Sequence, residues 1–91
     1  MNRDRVWLIK ELEVADLKGE KVMVDFQSGK YFLLKGIAND IWNHLCERKI
    51  ISIEDIVTNI AMEYEIEAKD CRQDILQFLE RLEHMGLIQI E

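Results

Sequence analysis

The sequence predicts an α+β fold in which a small antiparallel sheet comes first and three helices follow. Two observations carry this prediction. Apolar residues alternate on both sides of a glycine-containing turn between Lys21 and Lys35, which is the pattern of a β-hairpin. From Ile37 onward, apolar residues recur every three or four positions, which is the spacing of amphipathic helices.

The hairpin is the clearest part of the predicted sheet. Val22 and Val24 lie on one face of its first strand, and Gly29 can take the positive φ that a short hairpin loop often needs. The chain returns as a strand over residues 30–35. The first twenty residues are less regular, and we expect one strand between Val6 and Val14 to complete a three-stranded antiparallel sheet, followed by a turn at residues 18–20.

The returning strand contains a run of four large apolar residues, Tyr31, Phe32, Leu33 and Leu34. Successive side chains point to opposite faces of a strand, so both faces need cover. The run is too apolar for a solvated edge strand and too short to span a membrane. Either the protein's own helices and N-terminal segment cover this strand, or another polypeptide lies alongside it.

Three helices are predicted from the remaining residues. The first begins after Gly36 and spans about three turns. Ser52 and Asp55 resemble a capping box at the start of a short second helix. The third runs from about Ala68 and stops at Gly86, which suits a C′ position, and the strand-like residues 87–90 follow.

This element order is that of a winged helix-turn-helix unit. A chain of 91 residues allows one domain, so we expect a single domain over residues 1–91. A substrate cavity would consume much of so small a core, which argues against an enzyme. No cofactor or metal site is expected, since His44 and Cys46 would point to different sides of their helix.

Composition and charge restrict the partners and the compartment. The net charge of −6 and the 48% of hydrophobic residues indicate a globular protein with an acidic surface, which disfavours nucleic acid and acidic membranes. Cys46 and Cys71 are expected to be buried, reduced thiols. No secretory signal is recognisable, so a cytoplasmic location is expected.

Acidic residues dominate the second helix and the start of the third. In a DNA-binding helix-turn-helix protein this region provides the recognition helix, where carboxylates would repel phosphates. Most of these acids are expected on a solvated helical face. Asp74 is the exception, because it precedes the apolar residue Ile75, and a carboxylate beside an apolar groove can anchor a peptide lysine or backbone N–H.

Four segments in order, GEKVMVDFQSGKYFLL, IANDIW, SIEDIVTNIAMEYEI and DILQFLERLEHMGLI, resemble the PqqD-like family of small proteins. The resemblance covers roughly Gly19 to Ile90 and implies a recognition element for ribosomally made, post-translationally modified peptides. Such an element binds the leader region of a precursor peptide without catalysing its modification. Leu34 departs from the family pattern, in which asparagine is common before the first helix.

The resemblance also implies where the leader binds. In the family, the leader adds as an antiparallel strand to the third strand of the sheet, in a groove shared with the third helix. Transferred to this sequence, the peptide-binding residues are Lys30, Tyr31, Phe32, Leu33, Leu34, Asp74 and Phe78. The implied partners are a precursor leader and a modifying enzyme, either a leader peptidase of lasso-peptide type or a radical-SAM enzyme.

Two other functions stay open from the sequence. A winged-helix transcription regulator would need a basic recognition surface, and none is seen. A structural adaptor would use the same apolar edge strand to pair with itself or with another protein.

Overall fold

The structure, a computed structural model, describes residues 4–10, 12–18, 20–26 and 28–91. Its strands are β1 (Arg5–Leu8), β2 (Glu13–Leu17), β3 (Glu20–Asp25), β4 (Lys30–Leu34), β5 (Ile51–Ser52) and β6 (Ile88–Ile90). Its helices are α1 (Ile37–Glu47), α2 (Ile53–Tyr64) and α3 (Ala68–His84). The predicted α+β class, with a three-stranded antiparallel sheet followed by three helices, is confirmed.

The predicted sheet is the meander β2-β3-β4, in which each strand pairs antiparallel with the next. A second three-stranded sheet, with the order β5-β1-β6, was not predicted as such. In it, Val6 lies opposite both Ile51 and Ile90, so β1 joins distant segments of the chain. The N-terminal region therefore holds two strands where one was predicted, while the strand-like C-terminal residues do form β6.

The helices and both sheets enclose one hydrophobic core. The meander contributes Met23 and Leu34 to this core, and the second sheet contributes Val6 and Ile88. Burying an aliphatic side chain of this size contributes roughly 1.5–3 kcal/mol, so the core is the main source of stability. Within the described residues, no helix is long and apolar enough to cross a membrane.

A capping side chain and two glycines lie at the helix and strand boundaries that the sequence predicts. Ser52 Oγ accepts a hydrogen bond from the backbone N–H of Asp55 at 3.0 Å, which caps α2. Gly29 and Gly86 adopt φ values of 72° and 79°, in the left-handed region that favours glycine. Gly19 and Gln27, which were predicted in the turns on either side of β3, lie outside the described residues.

The prediction for the two cysteines is half right. Cys71 is buried on α3, as expected. Cys46 is exposed, because it lies beside the buried stripe of Ile41, Trp42 and Leu45 in the last turn of α1, where the helix reaches the edge of the core. A spacing pattern places a residue near a stripe, but it does not show where tertiary cover ends.

The Ser52 cap gives a stability prediction. Ser52→Ala removes the acceptor for the Asp55 N–H, so we expect the free energy of unfolding to fall by about 1 kcal/mol. The measurement is urea unfolding followed by tryptophan fluorescence and circular dichroism. Thr58→Ala, on the exposed side of the same helix, is the matched control and should change stability by no more than about 0.5 kcal/mol. Equal losses in both variants would contradict the assigned cap.

Candidate functional site

β4 is an unpaired edge of the meander. Its residues pair with β3 from Lys30 opposite Asp25 to Leu34 opposite Lys21, and no strand of the described chain lies on its other side. The N-terminal strand β1 and the C-terminal strand β6 pair with each other in the second sheet, away from this edge. The backbone N–H and C=O groups along the open side of β4 are therefore available to another strand.

The side chains of β4 alternate sharply in exposure. Leu34 is 3% exposed and Phe32 is half-buried, whereas Tyr31 is 74% and Leu33 is 50% exposed. The strand thus has an inner face that packs on the core and an outer face that no described part of the chain covers. The alternative in which the protein covers both faces is wrong for the outer face. Tyr31 and Leu33 contribute main-chain atoms at the edge, while their side chains belong to the outer face.

A groove runs beside β4 along helix α3. Its first part, which we call the strand pocket, is a cavity of about 290 Å³ bounded by β4 on one side and by α3 on the other. It is lined by Met23, Tyr31, Phe32, Leu33, Leu34, Phe78, Arg81, Leu82 and Met85. Most of these residues are apolar, so the strand pocket suits large apolar side chains.

The second part, which we call the helix pocket, lies between α1 and the first half of α3. It has a volume of about 270 Å³. It is lined by Ile37, Ala38, Ile41, Ile66, Asp70, Cys71, Asp74, Ile75 and Phe78. Phe78 contributes to both pockets, so the two form one groove, which begins beside β4 and continues past the start of α1.

One face of α3 supplies the floor of this groove. Asp70, Asp74, Phe78, Arg81 and Met85 are spaced by four, four, three and four residues, which places them on a single side of a helix. The predicted pair Asp74 and Phe78 therefore lies in the groove. Lys30 is the first residue of β4 and lines neither pocket.

Asp70 and Arg81 were not predicted as site residues, although they share the helical spacing of Asp74 and Phe78, which would have indicated them. Ile37 and Ile66 were not predicted either, because no local pattern marks them. They enter the helix pocket because α1 and the loop between α2 and α3 fold over the start of α3.

The charged residues of the groove have no ionic partner in the described protein. Asp70, Asp74 and Arg81 form no ion pair there, whereas two other α3 residues do: Arg72 Nη2 lies 2.7 Å from Glu54 Oε2, and Lys69 Nζ lies 3.4 Å from Glu67 Oε2. The groove charges are thus available to a ligand. Among the described residues, no group of three or more His, Cys, Asp or Glu side chains could hold a metal ion.

Two side-chain contacts, which we call the polar clasp, join α1 to the end of α2, next to the loop that carries Ile66. The Tyr64 hydroxyl donates a hydrogen bond to Asp40 Oδ2, and His44 Nε2 lies 2.9 Å from Glu63 Oε1. The Ile66 N–H donates to the Ala61 carbonyl, which fixes the loop carrying Ile66. The bond to Asp40 raises the pKa of Tyr64 to about 12, because the neutral phenol is the donor.

The clasp gives a pH-dependent prediction. The phenol pKa is raised on folding, so the Tyr64 contribution to stability is present below pH ~10 and is lost as pH rises through the folded value near 12. Tyr64→Phe should therefore lower the free energy of unfolding near pH 8, and the difference from wild type should shrink toward pH 12. The measurement is urea unfolding across this range.

Tyr31→Phe is the matched control for this experiment. The Tyr31 hydroxyl has no hydrogen-bond partner among the described residues, and its loss should leave stability at pH 8 within about 0.5 kcal/mol of wild type. A Tyr64→Phe difference that stays constant across the whole range would contradict the assigned hydrogen bond.

Comparisons with known proteins agree with this architecture. The chain is similar to the solved structure described as TbiB1 in complex with the TbiA(beta) leader peptide, with 28% sequence identity and a TM-score of 0.76 over 91% of this chain and 94% of that chain. It is equally similar, at 28% identity and a TM-score of 0.76, to a lasso peptide synthetase B1 complexed with its leader peptide, over 92% of this chain and 96% of that one.

The sequence itself matches a family model. No curated protein matches the chain. The model described as coenzyme PQQ synthesis protein D (PqqD) matches residues 20–88, a span that contains β3, β4 and all three helices. This span holds both walls of the groove. The chain therefore belongs to the PqqD family.

Proposed function

We propose that this protein binds the leader region of a ribosomally synthesised precursor peptide, without catalysing a reaction itself, and delivers it to a modifying enzyme or leader peptidase. The observation that carries the proposal is the unpaired apolar edge of β4 beside a continuous groove. The two similar solved structures support it, since both are complexes with leader peptides. One of them is described as a lasso peptide synthetase B1, which makes a lasso-peptide leader the first candidate ligand.

The leader binds as a fourth, antiparallel strand on the open side of β4. Each main-chain hydrogen bond contributes about 0.5–1.5 kcal/mol net, so a strand opposite the whole of β4 contributes several kcal/mol. This gain is independent of the leader's side chains. Apolar side chains that alternate into the groove supply the specificity, because they bury surface against Phe32, Leu34 and Phe78.

The direction of β4 then sets the direction of the leader. β4 runs from Lys30 toward Leu34 and on to α1, so an antiparallel strand enters from the α1 side. The amino-terminal part of the bound segment lies over the helix pocket. The carboxy-terminal part lies over the strand pocket and leaves the protein near Met85.

The other outer strand of the meander, β2, is a poorer acceptor for a peptide. It also pairs on one side only, with β3. However, Asp16 places an exposed acidic side chain within its five positions, and charged residues are a common protection of edge strands against pairing. β4 instead contains four consecutive apolar residues. The two edges of one sheet thus differ in the chemistry that favours strand addition.

The outer face of the meander is the surface on which the partner enzyme docks when the leader is delivered. Tyr31 and Leu33 are exposed there beside Val22 and Val24, which lie opposite them in register. Exposed apolar side chains that adjoin one another mark protein contact sites. A leader on β4 would extend this same face, so an enzyme docked on it would contact carrier and leader together.

Peptide probes test the strand addition without altering the protein. The probe is a fluorescein-labelled synthetic peptide that spans the first half of a candidate precursor, which is chosen from the short open reading frames next to this chain's gene. A scan of backbone N-methylation should weaken binding at every second position over about five residues, because alternate N–H groups of an added strand point to β4. The measurement is fluorescence anisotropy. Uniform effects, or none, along the peptide would contradict strand addition.

The groove side chain Phe78 tests the pocket. Phe78→Ala removes the ring that both halves of the groove share, and we expect the probe to bind roughly ten- to a hundredfold more weakly. Phe26→Ala is the matched control, since Phe26 is 75% exposed and lies outside the groove, and it should leave affinity within about twofold. Thermal unfolding checks that both variants are folded.

Sedimentation of the loaded protein separates peptide capture by a monomer from self-association.

Variants of the outer face test the delivery step. The double variant Tyr31→Thr, Leu33→Thr keeps strand-forming residues, so probe affinity should stay within about threefold of wild type. Cleavage of the precursor by its leader peptidase should slow by roughly tenfold or more if the peptidase docks on this face. Ile50→Thr, which removes another exposed apolar side chain outside the meander, should not slow cleavage. Normal cleavage with the double variant would place the enzyme elsewhere.

A further inference from the structure

The groove is electrically polarised along its length. Asp70 and Asp74 lie in the helix pocket, and Arg81 lies in the strand pocket. All three are on the same face of α3, with Phe78 between the acids and the cation.

These charges are not used inside the protein. None of the three α3 residues forms an ion pair in the described part of the chain, although Lys69 and Arg72 on the same helix are paired with acids. All three are exposed, so they attract a ligand through solvent and are screened by salt. They also cost no desolvation when the groove is empty.

We infer that this polarity selects leaders by charge order, with a basic residue on the amino-terminal side of an apolar segment and an acidic residue on its carboxy-terminal side. The inference rests on the proposed function, which places the leader antiparallel to β4 and so parallel to α3. In that direction the leader's amino-terminal part meets Asp70 and Asp74. Its carboxy-terminal part meets Arg81.

Helix and strand geometry set the spacing. Positions 74 and 81 are about 10 Å apart along a helix axis, and positions 70 and 81 about 16 Å apart. An extended peptide advances about 3.3 Å per residue, so these distances correspond to about three to five residues, and a spacing of about four places both charges on the groove side of the strand. The residues between them face Phe78 on one side of the strand and the outer face on the other.

The charges of the groove also fix the direction in which the leader binds to β4. A strand on the open edge of β4 could form main-chain hydrogen bonds in either the parallel or the antiparallel direction, with modest differences in stability. Reversing the peptide would bring its basic residue to Arg81 and its acidic residue to the two aspartates. Like charges in contact disfavour that arrangement, so the polarity excludes misdirected peptides as well as selecting correct ones.

A selection from random peptides tests this inference and does not require the natural leader. The probe is an mRNA-displayed library of random 20-residue peptides, selected on the immobilised full chain. A second selection uses the triple variant Asp70→Lys, Asp74→Lys, Arg81→Glu. A third uses Glu80→Lys, an exposed α3 position outside the groove, which changes the net charge by the same amount as the triple variant.

We expect the wild-type and Glu80→Lys selections to enrich peptides with Lys or Arg about four residues before Asp or Glu. The triple variant should enrich the reverse order. Exchanging the two charges in a selected peptide should weaken its binding to the wild-type chain by roughly three- to tenfold, and less so at high salt.

Binding to the Phe78→Ala variant separates the possible failures. Two outcomes would overturn the charge-order inference and leave the proposed function intact. In the first, the enriched peptides need Phe78 but show no charge order. In the second, the peptides enriched on the triple variant show the same charge order as those enriched on the wild-type chain. If no enriched peptide needs Phe78, the groove does not bind peptides and both proposals fail.

Discussion

The open edge of β4 is the constraint on which the rest of this structure depends. A strand needs partners for its main-chain N–H and C=O groups, and an apolar strand also needs cover for its side chains. β4 has both needs and meets each on one side only, through β3 and through the core beneath Leu34. Water can satisfy the free backbone groups of the empty protein, but it cannot cover Tyr31 and Leu33. A second polypeptide can do both.

The second sheet keeps this edge open. In a chain this small, either terminus could reach β4 and complete its sheet. Instead β1 and β6 pair with each other over Val6 to Leu8, and β5 closes the other side of β1. The Ile9 N–H donates to the Leu87 carbonyl at 3.0 Å, and the Glu91 N–H donates to the Arg5 carbonyl at 2.8 Å, which extends this attachment. The strands nearest the two termini, β1 and β6, are thus held away from the groove.

Local chemistry made much of the fold predictable, and distant pairing limited the rest. The hairpin around Gly29, the cap at Ser52 and the stop at Gly86 depend on residues close together in sequence, and each was found. β5 has two residues and exists because β1 lies beside it, so its own sequence carries no signal. The site divides in the same way: the helical spacing of α3 indicates its groove face, while the Ile66 wall of the helix pocket depends on how the helices pack.

The apolar run from Tyr31 to Leu34 does not alternate between apolar and polar residues, and the two surfaces of β4 explain why. A half-buried strand alternates between apolar and polar residues because one face meets the core and the other meets water. β4 instead serves two surfaces, since Phe32 and Leu34 turn toward α3 while Tyr31 and Leu33 turn outward. In the proposed complex the leader covers the edge between these two surfaces and the partner enzyme covers the outer one. A short strand with apolar residues on both of its faces, from Tyr31 to Leu34, is therefore the sequence expected of a carrier that must bind a peptide and present it in the same place.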